Sequence, residues 1–166
     1  MATPDIRPVQ LDELKTLEKL AHQIWHAHYP GIISVAQIDY MLALGYAPSV
    51  LEQNLAEGTR IDVLMLDDTM TGFMAYGPCI RRIVKLHKCY LDVGAHGQGL
   101  GQLMLNHVVT EAAHMKAQTL TLQVNKQNQT AIRAYVRRGF EIAESVVDDI
   151  GNGFVMDDYV MSLKVQ

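Results

Sequence analysis

Residues 83–124 place the strongest constraint on how this chain folds. They read as an apolar strand (83–93), a glycine-rich loop (94–101), an amphipathic helix (100–117) and a second strand (119–124). A strand–helix–strand crossover joins two parallel neighbours of one sheet. We therefore expect a parallel pair inside a sheet that is flanked by helices.

The segments on both sides of this unit predict helices before it and further strands around it. In chain order, the pattern predicts a strand at 6–10, helices at 11–29, 34–45 and 48–56, strands at 59–66 and 72–76, a helix at 129–138, and strands at 140–147 and 154–164. A turn containing Gly151-Asn152-Gly153 would join the last two strands. We expect a single mixed α/β domain over residues 1–166 with a splayed central sheet.

Composition excludes several classes of protein. The formal net charge is -4, which argues against a general nucleic-acid binder. No stretch reaches the roughly 18 apolar residues of a membrane span, and the first ten residues do not resemble a signal peptide. Cys79 and Cys89 lie in apolar, strand-like surroundings and are expected to be buried free thiols. These features indicate a cytoplasmic protein that binds neither nucleic acid nor membrane.

The loop between the central strand and helix reads His96-Gly97-Gln98-Gly99-Leu100-Gly101. Glycines allow positive φ angles and let backbone N–H groups approach a ligand without an intervening Cβ. The first turn of the following helix adds unpaired N–H donors and the positive end of the helix dipole. Together these features predict a binding site for an anion.

Three kinds of phosphate-binding loop, and a tight turn without any ligand, compete for this segment. A Walker loop is excluded because no Gly-Lys-Ser/Thr follows. The dinucleotide motif matches Gly97 and Gly99, but Gln102 occupies its third glycine and no acidic residue ends a strand about 20 residues on. An acetyl-CoA loop has arginine or glutamine, two residues, glycine, one residue, and then glycine or alanine. Residues 96–101 match this pattern except at the first position, which is His96. On the loop alone, the ligand-free turn stays open.

A second motif follows the strand at 119–124. It reads N-x-x-A-x-x-x-Y-x-x-x-G-F, with Asn128, Ala131, Tyr135 and Gly139-Phe140. With the strand at 85–91 and the glycine loop, it resembles the GCN5-related N-acetyltransferase (GNAT) superfamily over about residues 60–163. The first 58 residues resemble it only in kind, as helices after an opening strand.

The resemblance implies a fold, an activity and a set of contacts. The fold is the acyl-CoA N-acyltransferase fold, a mostly antiparallel sheet with a splayed central parallel strand pair. The activity is N-acetyl transfer from acetyl-CoA, without a metal. Backbone groups of Leu91 and Val93 would bind the pantetheine arm, and Asn128 would also bond the arm. The pyrophosphate would be held by the loop residues and by the residue that follows them: His96, Gly97, Gln98, Gly99, Leu100, Gly101 and Gln102.

The resemblance also implies that Tyr135 points its hydroxyl at the cofactor sulfur. A phenol of ordinary pKa near 10 can protonate a leaving thiolate, whose reference pKa is about 8.5. The alternative is an aromatic ring that only packs on the sheet. An N–H group at Leu91 is well suited to stabilise negative charge on the thioester oxygen.

The residue that would accept the proton of the amine departs from the usual pattern of the superfamily. Lys85 stands where many members of the superfamily carry a glutamate base, and a protonated lysine cannot accept a proton. His87 lies two residues on, hence on the same strand face, and is a candidate base directly or through water. A packed or solvated histidine and a chain of waters are the alternatives. His96, where arginine or glutamine is usual, leaves the contact of its side chain open.

The acceptor is expected to be a primary amine of a small molecule or peptide, and the acidic chain favours a cation. Aromatic candidates for its pocket are Trp25, His28, Tyr29, Tyr40, Tyr46, Tyr76 and Tyr159. The pairs Asp148-Asp149 and Asp157-Asp158 are expected in turns or on the surface. His22 and His26 lack a third ligand, so no metal site is expected. A homodimer is compatible with the sequence, and the alternative function is an acyl-CoA-binding regulatory domain without turnover.

Overall fold

A seven-stranded mixed sheet organises residues 2–165, the part of the chain that the computed structural model describes. The strands are β1 (Pro4–Pro8), β2 (Arg60–Leu66), β3 (Thr69–Tyr76), β4 (Ile83–Leu91), β5 (Thr119–Asn125), β6 (Glu141–Gly151) and β7 (Phe154–Lys164). Their order in the sheet is β1-β2-β3-β4-β5-β7-β6. β4 and β5 are parallel, and the other five pairs are antiparallel.

Five α-helices cover the two faces of the sheet. They are α1 (Leu14–His28), α2 (Val35–Tyr46), α3 (Pro48–Ala56), α4 (Leu100–His114) and α5 (Gln129–Arg138). Local chemistry sets their ends: the hydroxyl of Ser34 accepts a hydrogen bond from the N–H of Gln37 at 3.1 Å and caps α2. Gly139, at φ 108°, ends α5 in the left-handed conformation. Among residues 2–165, no helix has the length and hydropathy needed to cross a membrane.

The predicted elements are all present, with shifted ends. A 3₁₀ turn at Leu11–Glu13 precedes α1. β4 ends at Leu91, two residues earlier than predicted, and a second 3₁₀ turn begins at Val93. β6 runs four residues further than predicted, because the hairpin closes on Asn152 and Gly153 alone. Both have positive φ, as a type I′ turn requires.

Each face of the sheet carries its own core. On one face, the buried side chains of α4 and β5 pack together, with Met104, Val108, Leu120 and Leu122 at the centre. On the other, α1 and α2 pack on β2 and β3, and the central residues include Leu17, Ile38, Leu42, Val63 and Phe73. The helices before the central unit and the helices within and after it therefore lie on opposite faces.

The parallel pair is splayed, as predicted. β4 and β5 pair over Ile83–Leu86 and 119–122, and their remaining residues are not paired with each other. A bulge in β4 lies at the same point, because Ala75 pairs with Lys88 while Tyr76 pairs with Leu86. His87 is the extra residue. The fold class is confirmed: a mixed, mostly antiparallel sheet that opens between its two parallel strands.

Candidate active site

A cleft of about 770 Å³ passes through the opening between β4 and β5. We call its first part the loop side; it contains Leu91, Val93, most of residues 96–102, Asn128 and Tyr135. We call its second part the aromatic side; it contains Trp25, His28, Tyr29, Tyr46, Lys88, Tyr90 and Asp158. The motif residues before α4 and those on α5 are thus brought together around one opening.

The loop side lets a ligand approach the protein backbone closely. Gly97 and Gly99 have φ of +81° and +78°, and Gly99 is the N-cap of α4. A Cβ added at Gly97, Gly99 or Gly101 would meet no atom within 4 Å, so the backbone there faces open space. With the N-terminus of α4 at the same place, this geometry fits the pyrophosphate of a nucleotide cofactor. Of the predicted pyrophosphate contacts, residues 96–102, Gln98 alone does not line the cleft.

Two side chains of the loop side are engaged with the protein itself. The Nε2 atom of His96 lies 3.0 Å from the carbonyl oxygen of Leu91, and must carry the proton because a carbonyl only accepts. The amide of Gln102 donates to the carbonyl of Ala134 at 3.1 Å and ties α4 to α5. Both side chains are therefore already bonded to backbone carbonyls of the protein.

Asn128 is 4% exposed and caps α5. Its Oδ1 atom accepts from the N–H of Ala131 at 3.4 Å and lies 3.0 Å from Nε2 of His28. This bond joins α1 to α5 across the cleft. Sequence reasoning placed His28 only among seven aromatic candidates, and nothing local could have shown that it meets Asn128.

Tyr135 lines the cleft and packs edge-to-face on Phe140, with ring centroids 5.7 Å apart. Burial raises the pKa of its phenol well above the ordinary value, and the neighbouring Cys89 and Tyr29 raise it further. The hydroxyl is therefore protonated at neutral pH and available as a donor. Burial also raises the pKa of the Cys89 thiol to about 12, so Cys89 is not a thiolate nucleophile.

His87 lies on the bulge of β4 and lines the cleft. Its Nε2 atom lies 2.9 Å from the carbonyl oxygen of Gly77, which fixes the proton on Nε2 and leaves the lone pair on Nδ1. Desolvation lowers the pKa of His87; the bond to Gly77 opposes this shift, and the charges of Lys85 and Lys88 add to it. The ring is thus neutral at pH 7. Lys85 donates to Oε1 of Gln123 at 3.0 Å.

The aromatic side is a packed cluster of rings. Trp25 lies 4.5 Å from Tyr29, 5.6 Å from Tyr90 and 5.7 Å from Tyr46 between ring centroids. The hydroxyls of Tyr29 and Tyr90 are 3.0 Å apart. Lys88 places its ammonium 4.8 Å from the centroid of Tyr46, and burial lowers the pKa of that ammonium. This surface suits the apolar stem and charged head of an alkylamine.

Three of the predicted aromatic candidates lie elsewhere. Tyr40 donates to the carbonyl of Ile150 at 2.7 Å, and Tyr76 is buried and donates to Asp62 at 2.5 Å. Tyr159 packs against the α4-side core, because residue alternation in β7 directs it to that face. None of the three lines the cleft.

The expectation for Asp158 was wrong. It is 1% exposed and lines the cleft, whereas the side chain of Asp157 is 57% exposed and pairs with Lys126 at 2.7 Å. Both lie within β7, and two consecutive residues of a strand face opposite sides. That alternation was the available signal. Burial raises the pKa of Asp158 to about 6, and the nearby carboxylates of Asp148 and Asp157 add to the shift.

Comparison with known proteins agrees with this geometry. The profile of the Acetyltransferase (GNAT) family matches residues 19–140. Spermidine N(1)-acetyltransferase of Thermoplasma acidophilum is 24% identical over 158 residues, which cover 92% of this chain and 95% of the relative. A peptidyl-lysine N-acetyltransferase of Salmonella typhimurium is 35% identical over 66 residues, or 39% of this chain and 42% of the relative.

Solved structures show the same fold. The PaiA N-acetyltransferase of Thermoplasma acidophilum, in complex with coenzyme A, superposes with a TM-score of 0.84 at 21% identity, covering 98% of this chain and 99% of that one. The ribosomal-protein-S18-alanine N-acetyltransferase of Escherichia coli superposes with a TM-score of 0.76 at 19% identity, covering 99% of this chain and 95% of that one. The predicted family and enzyme class, an acetyl-CoA-dependent N-acetyltransferase, are confirmed. The chain belongs to the acetyltransferase (GNAT) family.

Proposed function

We propose that this enzyme transfers the acetyl group of acetyl-CoA directly to a primary amine of a small molecule or peptide. The observation that carries the proposal is the single cleft through the opening between β4 and β5, which joins an anion site to an aromatic, amine-compatible surface. Relatives named for spermidine and for peptidyl-lysine support an amine acceptor of this kind.

On the loop side, backbone N–H groups of residues 97–101 would hold the pyrophosphate, with the dipole of α4 behind them. Leu91 and Val93 line the same cleft, and their backbone groups would bind the pantetheine arm. Asn128 lines the cleft as well, bonded to His28, and would bond the arm. Acetyl-CoA, when bound, supplies a thioester carbonyl that an amine can attack.

Direct attack is favoured over a covalent enzyme intermediate. Among the described residues, Cys89 is the one cysteine that lines the cleft. Burial raises its thiol pKa to about 12, so the thiol is almost wholly protonated at neutral pH. Tyr135 lies close enough to Cys89 for the sulfur to raise the pKa of its phenol. We assign to Tyr135 the donation of a proton to the departing sulfur, and to the N–H of Leu91 the stabilisation of negative charge on the carbonyl oxygen.

We assign proton acceptance to His87, directly or through water. Its bond to Gly77 directs the proton to Nε2, and the lowered pKa keeps Nδ1 unprotonated near pH 7. A His87→Gln variant preserves a donor to the Gly77 carbonyl but removes a titrating base. Loss of the acidic limb of the pH–rate profile in this variant would support the role, and an unchanged profile would contradict it.

The testing experiment is a panel of primary amines assayed with acetyl-CoA. Release of free thiol is followed with a chromogenic reagent, and the acetylated product is identified by mass. The proposal expects thiol release that depends on an amine and a stoichiometric N-acetyl product. Tight binding of acetyl-CoA without acetylation of any amine would instead identify a non-catalytic acyl-CoA-binding regulatory domain.

A further inference from the structure

Two buried polar groups of the cleft lack a hydrogen-bond partner among the described residues, the indole Nε1 of Trp25 and the carboxylate of Asp158. Of the two, only Asp158 can carry a charge. The residue is 1% exposed, and within residues 2–165 its Oδ2 atom has no hydrogen-bond partner. A buried carboxylate without a partner is costly, because it loses its hydration without gaining a replacement. The backbone of Asp158 is paired with β5 on one side and β6 on the other, which fixes the residue beside the cleft.

The neighbouring cations do not neutralise Asp158. Lys126 is paired with Asp157 at 2.7 Å, and Lys85 donates to Gln123 at 3.0 Å. Both lower the pKa of Asp158, but burial and the charges of Asp148 and Asp157 outweigh them and raise it. The carboxylate therefore lines the cleft as an acceptor without a cationic partner among the described residues.

The rings beside Asp158 favour a cationic partner. Asp158 lines the cleft together with Trp25 and Tyr29 of the aromatic side. Burial raises the pKa of Tyr29, and the charge of Asp158 adds to that shift. The faces of aromatic rings carry negative potential and attract ammonium groups. Lys88 gives an example within the same cluster, with its ammonium 4.8 Å from the centroid of Tyr46.

We propose that Asp158 is the binding site for the ammonium group of the acceptor, which makes the acceptor an alkylammonium compound or a lysine-like side chain. The inference rests on the proposed function, since it names the substrate class of that same cleft. A carboxylate binds such a head through charge-assisted hydrogen bonds, while Trp25 and Tyr29 pack on its apolar stem. Asp158 would act in binding and orientation.

The test uses direct binding, so that it does not depend on turnover. Trp25 is the one tryptophan of the chain and lines the cleft, so its fluorescence reports on the aromatic side. The full-length protein, saturated with coenzyme A, is titrated at pH 7.5 with n-butylammonium chloride, with 1,4-diaminobutane and with n-butanol. Asp158→Asn keeps the shape of the side chain and removes its charge. Asp157→Asn is the matched control, one residue away on the opposite face.

We expect Asp158→Asn to weaken binding of both ammonium compounds at least tenfold and binding of n-butanol less than twofold. Asp157→Asn should change all three by less than twofold. A loss confined to the diamine would still support the site and would assign it to the distal ammonium. Equal affinities of Asp158→Asn and the wild type, or no ammonium binding by the wild type, would overturn the inference.

Two further readouts separate this inference from the proposed function and from misfolding. If the wild type binds n-butylammonium through Asp158 but acetylates no amine, the proposed function fails and the site stands. If it acetylates amines and Asp158→Asn does so with unchanged kcat/KM, the site fails and the function stands. The melting temperature of Asp158→Asn should equal or exceed that of the wild type, because the substitution removes an unpaired buried charge.

Discussion

Gly99 and Gly153 offer a matched pair of substitutions that separates backbone strain from ligand exclusion. Their φ angles are +78° and +80°, and a Cβ added at either meets no atom within 4 Å. Gly99 lines the cleft at the N-terminus of α4, whereas Gly153 lies in the hairpin turn between β6 and β7 and does not line it. Gly99→Ala and Gly153→Ala therefore impose the same strain at two different places.

The expected change in melting temperature is the same at the two positions, and the expected change in acetyl-CoA affinity differs between them. An L-residue in the left-handed region costs about 1 kcal/mol, which in a domain of this size lowers the melting temperature by about 2–4 °C. Both variants should show this loss. At Gly99 the methyl group also occupies the open space where a phosphate would approach the backbone N–H. Loss of one charged hydrogen bond is worth about 2 kcal/mol, or about thirtyfold in affinity.

The assays are thermal unfolding of the free protein and calorimetric titration with acetyl-CoA. We expect equal decreases in melting temperature, a loss of about thirtyfold in acetyl-CoA affinity for Gly99→Ala, and unchanged affinity for Gly153→Ala. Unchanged affinity in Gly99→Ala would refute the assignment of this loop to the pyrophosphate. Equal loss of affinity in both variants would show that strain, and not occupancy of the cleft, weakens binding.

Three further changes test the chemistry and the fold. Tyr135→Phe should lower kcat about 100-fold and leave acetyl-CoA affinity within about twofold, because it removes only the proton donor; an equal loss of binding would contradict that role. Cys89→Ala should keep turnover, and intact mass spectrometry of the wild type with acetyl-CoA should show no acetyl adduct; an adduct lost in this variant would contradict direct attack. Glu13→Gln should cost about 1 kcal/mol of unfolding free energy at pH 7, because the pair with Arg7 lowers the pKa of Glu13 to about 2. Urea unfolding should show this cost disappearing as pH falls from about 4.5 to about 2; a cost that persists at pH 2 would indicate lost packing instead.

The loop side could be predicted because its information is local. Residues 91–102 form one continuous strand end, turn and helix start, and their conformation depends on glycines and on a helix N-terminus. Asn128 and Tyr135 lie on one short helix and its cap, with a spacing that fixes their relation. The order of strand, helix and strand similarly predicted the parallel pair and its place within the sheet.

The aromatic side could not be predicted because its contacts span the chain. His28 meets Asn128 across 100 positions, and Gln37 donates to the carbonyl of Val155 across 118. Such contacts depend on how α1 and α2 cross the sheet, which no local periodicity specifies. The bulge at His87 is also a property of the pairing between β3 and β4, and it puts Lys88 and Tyr90 on the α1 face.

The charges of the cleft show why this side stays open to a ligand. Burial raises the pKa of Asp158 and lowers that of Lys88, so each group is shifted toward its neutral form. An ion pair between the two would shift both in the opposite directions, because each charge would favour the other. Accordingly, none of the ion pairs among the described residues joins Lys88 to Asp158, and the ammonium of Lys88 lies over the ring of Tyr46. Since neither charge neutralises the other, the carboxylate remains available to a cation that enters from outside.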